Sequence, residues 1–367
     1  YKSKRSGRCW EFSLLNTLRH EFAQKYKVKD FELSQNYLFF WDKLERANIF
    51  FKNIEQTANK PIDDREVRFY FSGPGEDGGQ WAMAASLVEK YGLIPAEMMP
   101  ESFNSNNTSA LIDVLNRVLR KAGLEIRQAV QNNFSEIKIQ GIEDDYLQKV
   151  YRIASYALGE PPLIFDFEYR DDDGNYHIEK NLTAKKFYEK FFSTDFDDYV
   201  VLTNSPDKDF GKLYSLPSED NIIGGRNIEF LNTDIENLKS SAERQLISNE
   251  GVWFGNDVLK EMDRTSGILD TKLYDTDQLF DIDSKMTKAD RLLTGEAQVS
   301  HAMTLTGFDK IDDHIIKWKV ENSWGEKFGQ NGYFVMSNSW FNDFVYEVVV
   351  HKKFIDKKLL KILDEKP

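Results

Sequence analysis

Ser6-Gly7-Arg8-Cys9-Trp10 contains the only cysteine of the 367-residue chain and stands directly before a helical pattern. Leu14, Leu18 and Phe22 recur every four residues, which predicts a helix over residues 9–26. A helix N-terminus and a basic neighbour such as Arg8 both favour the thiolate and lower the pKa of a cysteine. The stretch therefore predicts either a reactive thiol or a small buried apolar side chain, the usual state of a lone cysteine.

The composition is that of a globular protein, with 41% apolar and 14% aromatic residues. No apolar run approaches the roughly 18 residues of a membrane-spanning helix. The basic start lacks the apolar segment of a signal peptide. One cysteine cannot form an internal disulfide, so we expect a reducing, cytoplasmic setting. The net charge of −13 disfavours nucleic acid as a partner, because the phosphate backbone would be repelled.

Patterning divides the chain into a helix-rich first part and a strand-rich last part, which predicts an α+β fold with two lobes. Val67–Phe71 is predicted as a short strand. Asp171–Asn175 is predicted as a hairpin turn rather than a calcium loop, because the ligand spacing of an EF-hand is missing. Further strands are expected at 299–305, 315–320, 332–336 and 346–350.

Two residues of the strand-rich part are candidate partners for the thiol. Among the five histidines, His301 alone begins an apolar β-pattern, and Asn322 ends the next predicted strand. Antiparallel pairing of these strands would bring the two side chains together, and Trp324 would shield their hydrogen bond from water. A nucleophilic cysteine needs a base and a group that orients that base. The pattern thus predicts a Cys9–His301–Asn322 arrangement.

In combination, these motifs resemble those of the bleomycin hydrolase / aminopeptidase C branch of papain-like cysteine peptidases. The similarity rests on Gly7–Trp10, Ser300–Thr304 and Val320–Gly325, and further stretches extend it over almost the whole chain. Ordinary papain-like enzymes separate the cysteine and histidine by about 130–150 residues. The much longer separation here indicates a large insertion, which is typical of this branch.

The resemblance implies one papain-like catalytic unit over residues 1–367. A helical lobe would span 1–100, an inserted oligomer-contact region 101–250, and a β-rich lobe 251–367. Cys9 would be the nucleophile, His301 the general base and then acid, and Asn322 the group that orients the imidazole. The implied activity is hydrolysis of short peptides from the N-terminus through a thioester. The implied assembly is a hexameric ring, and no cofactor or metal is expected.

The glycine-rich loop allows two interpretations. Gly73, Gly75 and Gly78 fit the G-x-G-x-x-G spacing of a dinucleotide-binding loop. Pro74 and the acidic pair at 76–77 argue against a phosphate site. The resemblance instead implies that Gly78 and Gly79 bind the substrate backbone, because glycine leaves a peptide edge open for pairing.

Two departures from the family pattern suggest alternatives. Ser3 occupies the position of the family's oxyanion glutamine, and loss of one oxyanion donor costs about 100- to 1,000-fold in rate. A weakened or inactive homologue that binds peptides or builds an assembly is therefore one alternative. The chain also ends at Pro367, before the C-terminal arm that restricts family members to free N-termini, and it lacks several tens of N-terminal residues. Endopeptidase action is the second alternative.

Overall fold

The computed structural model describes residues 5–365, and within that range it has thirteen α-helices and twelve β-strands. The helices are α1 Cys9–Tyr26, α2 Gln35–Gln56, α3 Arg65–Ser72, α4 Trp81–Tyr91, α5 Phe103–Asn106, α6 Ser109–Gln131, α7 Glu136–Leu158, α8 Ala184–Phe191, α9 Ile235–Ile247, α10 Thr276–Phe280, α11 Lys288–Thr294, α12 Asn338–Phe344 and α13 Lys357–Leu360. The strands are β1 Phe165–Arg170, β2 Tyr176–Leu182, β3 Tyr199–Thr203, β4 Lys212–Ser215, β5 Glu229–Asn232, β6 Val252–Asn256, β7 Met262–Asp263, β8 Ile268–Leu269, β9 His301–Ile311, β10 His314–Glu321, β11 Tyr333–Ser337 and β12 Val345–His351.

The first part of the chain forms a helical lobe around α1 and α2. Leu18 and Phe22 of α1 and Phe39 of α2 are buried in its core, and this burial of apolar surface stabilises the lobe. The Ser34 hydroxyl caps α2 by accepting a hydrogen bond from the backbone N–H of Tyr37. Helices α4, α6 and α7 pack against α2. Helix α2, which also contacts α1, is thereby held from several sides. No helix of residues 5–365 is long and apolar enough to cross a bilayer.

The last part of the chain builds the main sheet. In the described residues the strand order is β4-β5-β3-β12-β6-β9-β10-β11-β8-β7, and the β6–β9 and β9–β10 pairs are antiparallel. Alternate residues of each strand pack into different hydrophobic cores, because successive side chains of a strand point to opposite faces of the sheet. One face packs on the helical lobe through Trp253, Ala302 and Val349, and the other buries Phe254 and Met303 in the second core. The cleft lies where the two lobes meet.

The α+β architecture is confirmed, and so is the hairpin turn, which joins β1 to β2 in an antiparallel pair. The predicted strand at Val67–Phe71 is wrong, because this segment lies in α3. Asp64 starts that helix by accepting from the backbone N–H of Glu66. Alternation of apolar residues suggested a strand, but Phe69 is exposed, whereas Val67 and Phe71, four residues apart, pack inward.

Candidate active site

Cys9 is the first residue of α1, so its thiol lies at the positive end of the helix dipole. The thiol lines a cleft of about 530 Å³ between the lobes. The helix is tied directly to the sheet. The indole N–H of Trp253 donates to the carbonyl of Trp10 at 2.9 Å, and the Thr304 hydroxyl donates to the carbonyl of Ser13 at 3.3 Å. These bonds fix the position of the thiol relative to β6 and β9.

His301 and Asn322 are brought together by the antiparallel pairing of β9 and β10. His301 begins β9, and Asn322 follows the last residue of β10. The Nε2 of His301 donates to Oδ1 of Asn322 at 2.8 Å, and the same oxygen accepts from the backbone N–H of Ser323 at 2.7 Å. Because Asn322 is buried, its amide is held in one orientation and fixes the imidazole.

His301 also interacts with the Cys9 thiol, and this interaction sets the charges of the pair. Burial opposes ionisation of Cys9, but the positive imidazole of His301 and its hydrogen bond outweigh burial and lower the pKa of the thiol. Burial likewise opposes the charge on His301, and the thiolate and the bond to Asn322 raise the pKa of the imidazole. The arrangement therefore favours a thiolate–imidazolium ion pair.

Arg8 does not supply the positive charge that the sequence suggested for Cys9. Its fully buried guanidinium donates to both carboxylate oxygens of Glu101, at 3.0 and 3.1 Å. It also lies over the ring of Phe39, 5.0 Å from the ring centre. Arg8 thus anchors the segment before α1, while His301 provides the charge beside the thiol.

A buried ion pair that the sequence reasoning missed supports the same segment. The ammonium of Lys43 lies 2.6 Å from Oδ1 of Asp77. The other oxygen of Asp77 accepts from the Thr108 hydroxyl at 2.6 Å and from the backbone N–H of Gly7 at 3.2 Å, and the Asp77 carbonyl accepts from the Trp10 indole at 2.7 Å. Asp77 therefore joins both sides of the nucleophile to the glycine-rich loop. No local pattern could reveal Lys43, which lies on α2.

Gly78, Gly79 and Trp324 all line the cleft with Cys9 and His301. A Cβ on Gly78 would meet no atom within 4 Å, so this position faces open space. A Cβ on Gly79 would lie 2.6 Å from the Trp10 ring, so the second glycine is required by packing. The structure thus brings together all the predicted site residues except Ser3, which lies outside the described residues.

Helical and β-rich lobes with a Cys–His–Asn arrangement at their junction define the class of papain-like cysteine peptidases. The model of the Peptidase C1-like family matches residues 2–367. Aminopeptidase G of Lactobacillus delbrueckii subsp. lactis is 55% identical over 364 residues, which cover 99% of this chain and 83% of the relative. Aminopeptidase E of Lactobacillus helveticus is 53% identical over 97% of this chain and 81% of the relative.

A solved structure gives the same result at the level of the fold. The crystal structure of PepW from Lactobacillus rhamnosis HN001 superimposes with a TM-score of 0.97 at 48% identity, covering 99% of this chain and 82% of that one. The chain therefore belongs to the Peptidase C1-like family, in its aminopeptidase C / bleomycin hydrolase branch. The resemblance drawn from the sequence motifs is confirmed.

Proposed function

We propose that this protein is a cysteine aminopeptidase that hydrolyses short peptides with Cys9 as nucleophile, His301 as general base and acid, and Asn322 as orienting group. The observation that supports this proposal most strongly is that His301 interacts with the thiol on one side and with Asn322 on the other. The curated relatives at 42–55% identity bear aminopeptidase names. They favour this function over an inactive peptide-binding homologue.

The reaction follows from the charges of the pair. The Cys9 thiolate attacks the peptide carbonyl, and the His301 imidazolium protonates the departing amine, which leaves a thioester. His301 then takes a proton from water, and the resulting hydroxide attacks the thioester and releases the acid and the Cys9 thiolate, which restores the ion pair with the His301 imidazolium. The backbone N–H of Cys9, at the start of α1, is placed to donate to the developing oxyanion. These steps use protein groups and water only.

Gly78 and Gly79 are proposed to bind the substrate backbone in an extended form. Both line the cleft beside Cys9, and the carbonyl of Gly78 accepts from Arg46. The Arg46 guanidinium is also paired with Asp42 at 2.8 Å, so the loop is held from behind. A rigid backbone edge of this kind suits strand-like pairing with a peptide.

The proposal is tested by labelling and turnover together. Iodoacetamide should modify Cys9 faster than it modifies free cysteine at pH 6, and Cys9→Ala should abolish hydrolysis of an aminoacyl coumarin substrate. A thiol no more reactive than free cysteine, together with no turnover, would overturn the proposal. The same peptide with a free and with an acetylated N-terminus distinguishes aminopeptidase from endopeptidase action, because only the former requires the free amine.

The cytoplasmic setting and the hexameric ring are further parts of the proposal, the first drawn from the cysteine content and the second from the family resemblance. A lone cysteine suits a reducing compartment. In the inserted region 101–250, the apolar side chains of Ile137, Tyr156 and Leu163 are each at least 85% exposed, which suits contacts between copies. Light scattering should give a hexamer, and Leu163→Asp should yield smaller species if this surface forms the contacts.

A further inference from the structure

Glu347 is a buried carboxyl group beside the cleft that the proposed reaction does not use. It lies on β12 with 5% of its surface exposed. It borders a cavity of about 270 Å³, and Gln80 lines both this cavity and the cleft. Within residues 5–365 the carboxyl group of Glu347 has no hydrogen-bond or ion-pair partner, although its backbone is paired in the sheet. Burial of an unpaired carboxylate is costly, so a residue of this kind needs an explanation in the chemistry of the site.

The strand register places Glu347 on the face of the sheet that also carries Gly255 and Ala302. Glu347 pairs with Gly255 of β6, and Gly255 pairs with Ala302 of β9, the residue after His301. Directly opposed residues of antiparallel strands project to one side, here the side that packs on the helical lobe through Trp253. The carboxyl group therefore lies in the lobe junction, about two strand spacings, or 10 Å, from the strand that carries His301.

Gly255 leaves the space that the carboxyl group occupies. A Cβ at this position would lie 3.0 Å from Oε2 of Glu347 and 3.2 Å from Cγ1 of Val299. Val299 lines the cleft. Oε2 of Glu347 and Cγ1 of Val299 thus border the same small space beside Gly255, and Val299 is a wall residue of the cleft.

The charges around Glu347 leave it without a compensating cation. Burial, and then the negative charge of Glu219, raise the pKa of Glu347 to about 7. Glu219 lines the cleft and accepts from the Gln80 amide at 3.0 Å. Of the two cations that border the cavity, Arg226 is already paired with Glu89 and Asp197. Lys352 forms no ion pair with Glu347 in the part of the chain that the structure describes.

We propose that Glu347, with Glu219 at the rim, forms an acidic specificity pocket that binds an ammonium or guanidinium group of the peptide substrate. This inference rests on the proposed peptidase function. The pocket adjoins Gln80, which follows Gly78 and Gly79 in the chain and also lines the cleft, so it would contact a peptide bound along those two glycines. The cation is supplied either by the free N-terminus or by a Lys or Arg side chain, since both carry the same charge chemistry.

Three coumarin amides with the same leaving group test the pocket and distinguish the two sources. Acetyl-norleucyl-alanyl coumarin amide is neutral, acetyl-lysyl-alanyl coumarin amide adds a side-chain cation, and norleucyl-alanyl coumarin amide adds a free N-terminus. The wild type should prefer at least one cationic substrate. Glu347→Gln should lower kcat/KM for the preferred cationic substrate about thirtyfold, because a buried charge pair loses one partner. Where the neutral acetylated substrate is cleaved at all, its rate should change less than about threefold.

Two further variants act as controls. Glu229→Gln removes an exposed carboxyl group of β5 that borders the same cavity, and it should preserve the cation preference. Gly255→Ala should reduce the preference as Glu347→Gln does, because its methyl group would displace the carboxylate. Circular dichroism establishes that each variant is folded. If Glu347→Gln does not fold, the wild-type preference and Gly255→Ala provide the answer.

Two results would overturn the pocket. One is a wild type that does not discriminate between the cationic and neutral substrates, and the other is an unchanged preference in folded Glu347→Gln. Failure of the peptidase function itself is distinct, because then the wild type hydrolyses none of the three substrates. In that case, calorimetry measures the binding of acetyl-lysyl-alaninamide and its norleucine analogue to wild type and Glu347→Gln. This comparison tests the pocket independently of turnover.

Discussion

The indole of Trp324 covers the imidazole of His301, with ring centres 5.1 Å apart and ring planes 33° from parallel. The guanidinium carbon of Arg264 lies 4.4 Å from the centre of the same indole, at a distance typical of a cation–π contact. This stack lies beside the His301–Asn322 hydrogen bond. Exclusion of water strengthens such a bond, because the surroundings then have a lower dielectric constant.

Removal of the indole should therefore weaken catalysis rather than binding. We expect Trp324→Ala to lower kcat about tenfold with little change in KM, since one hydrogen bond becomes solvated at a cost of about 1.4 kcal/mol. Trp324→Phe should retain most of the rate. Steady-state kinetics measure both effects, and an equal loss in the two variants would argue against shielding.

The amide of Asn322 should contribute through orientation of the imidazole. Asn322→Ala removes a hydrogen bond to a charged group, and such bonds are worth about 1.5–3 kcal/mol, so kcat should fall about 10- to 100-fold. The alkaline limb of the pH–rate profile should also move to lower pH, because the bond to Asn322 raises the pKa of His301. An unshifted profile with a reduced rate would indicate a structural role only.

The pH dependence of thiol labelling should report the ion pair. The lowered pKa of Cys9 and the raised pKa of His301 define a window in which both groups are charged. Within it, iodoacetamide should react faster with the native protein than with the unfolded chain. His301→Ala should slow labelling at pH 6.5, because the charge of His301 then no longer offsets the burial that raises the pKa of Cys9. His314→Ala, at the exposed start of β10, is the matched control and should leave the rate unchanged.

The two glycines of the cleft should respond differently to the same substitution. Gly78→Ala should leave folding intact, because its Cβ would meet nothing within 4 Å, and should raise KM by placing a methyl group in the substrate path. Gly79→Ala should lower the free energy of unfolding by about 1–3 kcal/mol, because its Cβ would overlap Trp10. Urea unfolding combined with kinetics separates the two effects. Equal destabilisation by both variants would contradict the assignment.

The Lys43–Asp77 pair should stabilise the segment before the nucleophile. Asp77→Ala leaves a buried, unpaired ammonium and should cost about 3–5 kcal/mol of unfolding free energy, whereas the double variant Lys43→Met/Asp77→Leu should recover part of that loss. Urea unfolding measures both. No recovery in the double variant would indicate that the bonds of Asp77 to Thr108 and Gly7 dominate.

The same pair predicts the direction of acid sensitivity. Burial opposes the charge on Asp77, but Lys43 and the hydrogen bonds outweigh it and lower its pKa. The stabilisation from Asp77 is therefore complete above the unfolded pKa of about 3.9 and is lost as the pH falls through the lower folded value. The difference in unfolding free energy between wild type and Asp77→Ala should therefore shrink below that value. A difference that is undiminished at lower pH would contradict this linkage.

The contact between His301 and Asn322 could be predicted from the sequence, because two adjacent β-patterns determine an antiparallel pair and its ends. The helix at Arg65–Ser72 could not, since three apolar residues at alternate positions also fit a strand until the exposure of Phe69 is known. The roles of Lys43 and Glu347 could not be predicted for a different reason. Their roles depend on contacts with residues far along the chain, Asp77 and Gly255, and no local periodicity encodes such contacts.

The hydrogen bonds from Trp253 and Thr304 to the backbone of the first helix have a consequence for the timing of catalysis. They join the helix that starts with the thiol to the strands around the imidazole, so the two reacting groups belong to a single rigid body. A substrate therefore meets a nucleophile and a base whose alignment was completed when the chain folded. The only entropic cost that remains in each reaction is that of positioning the peptide.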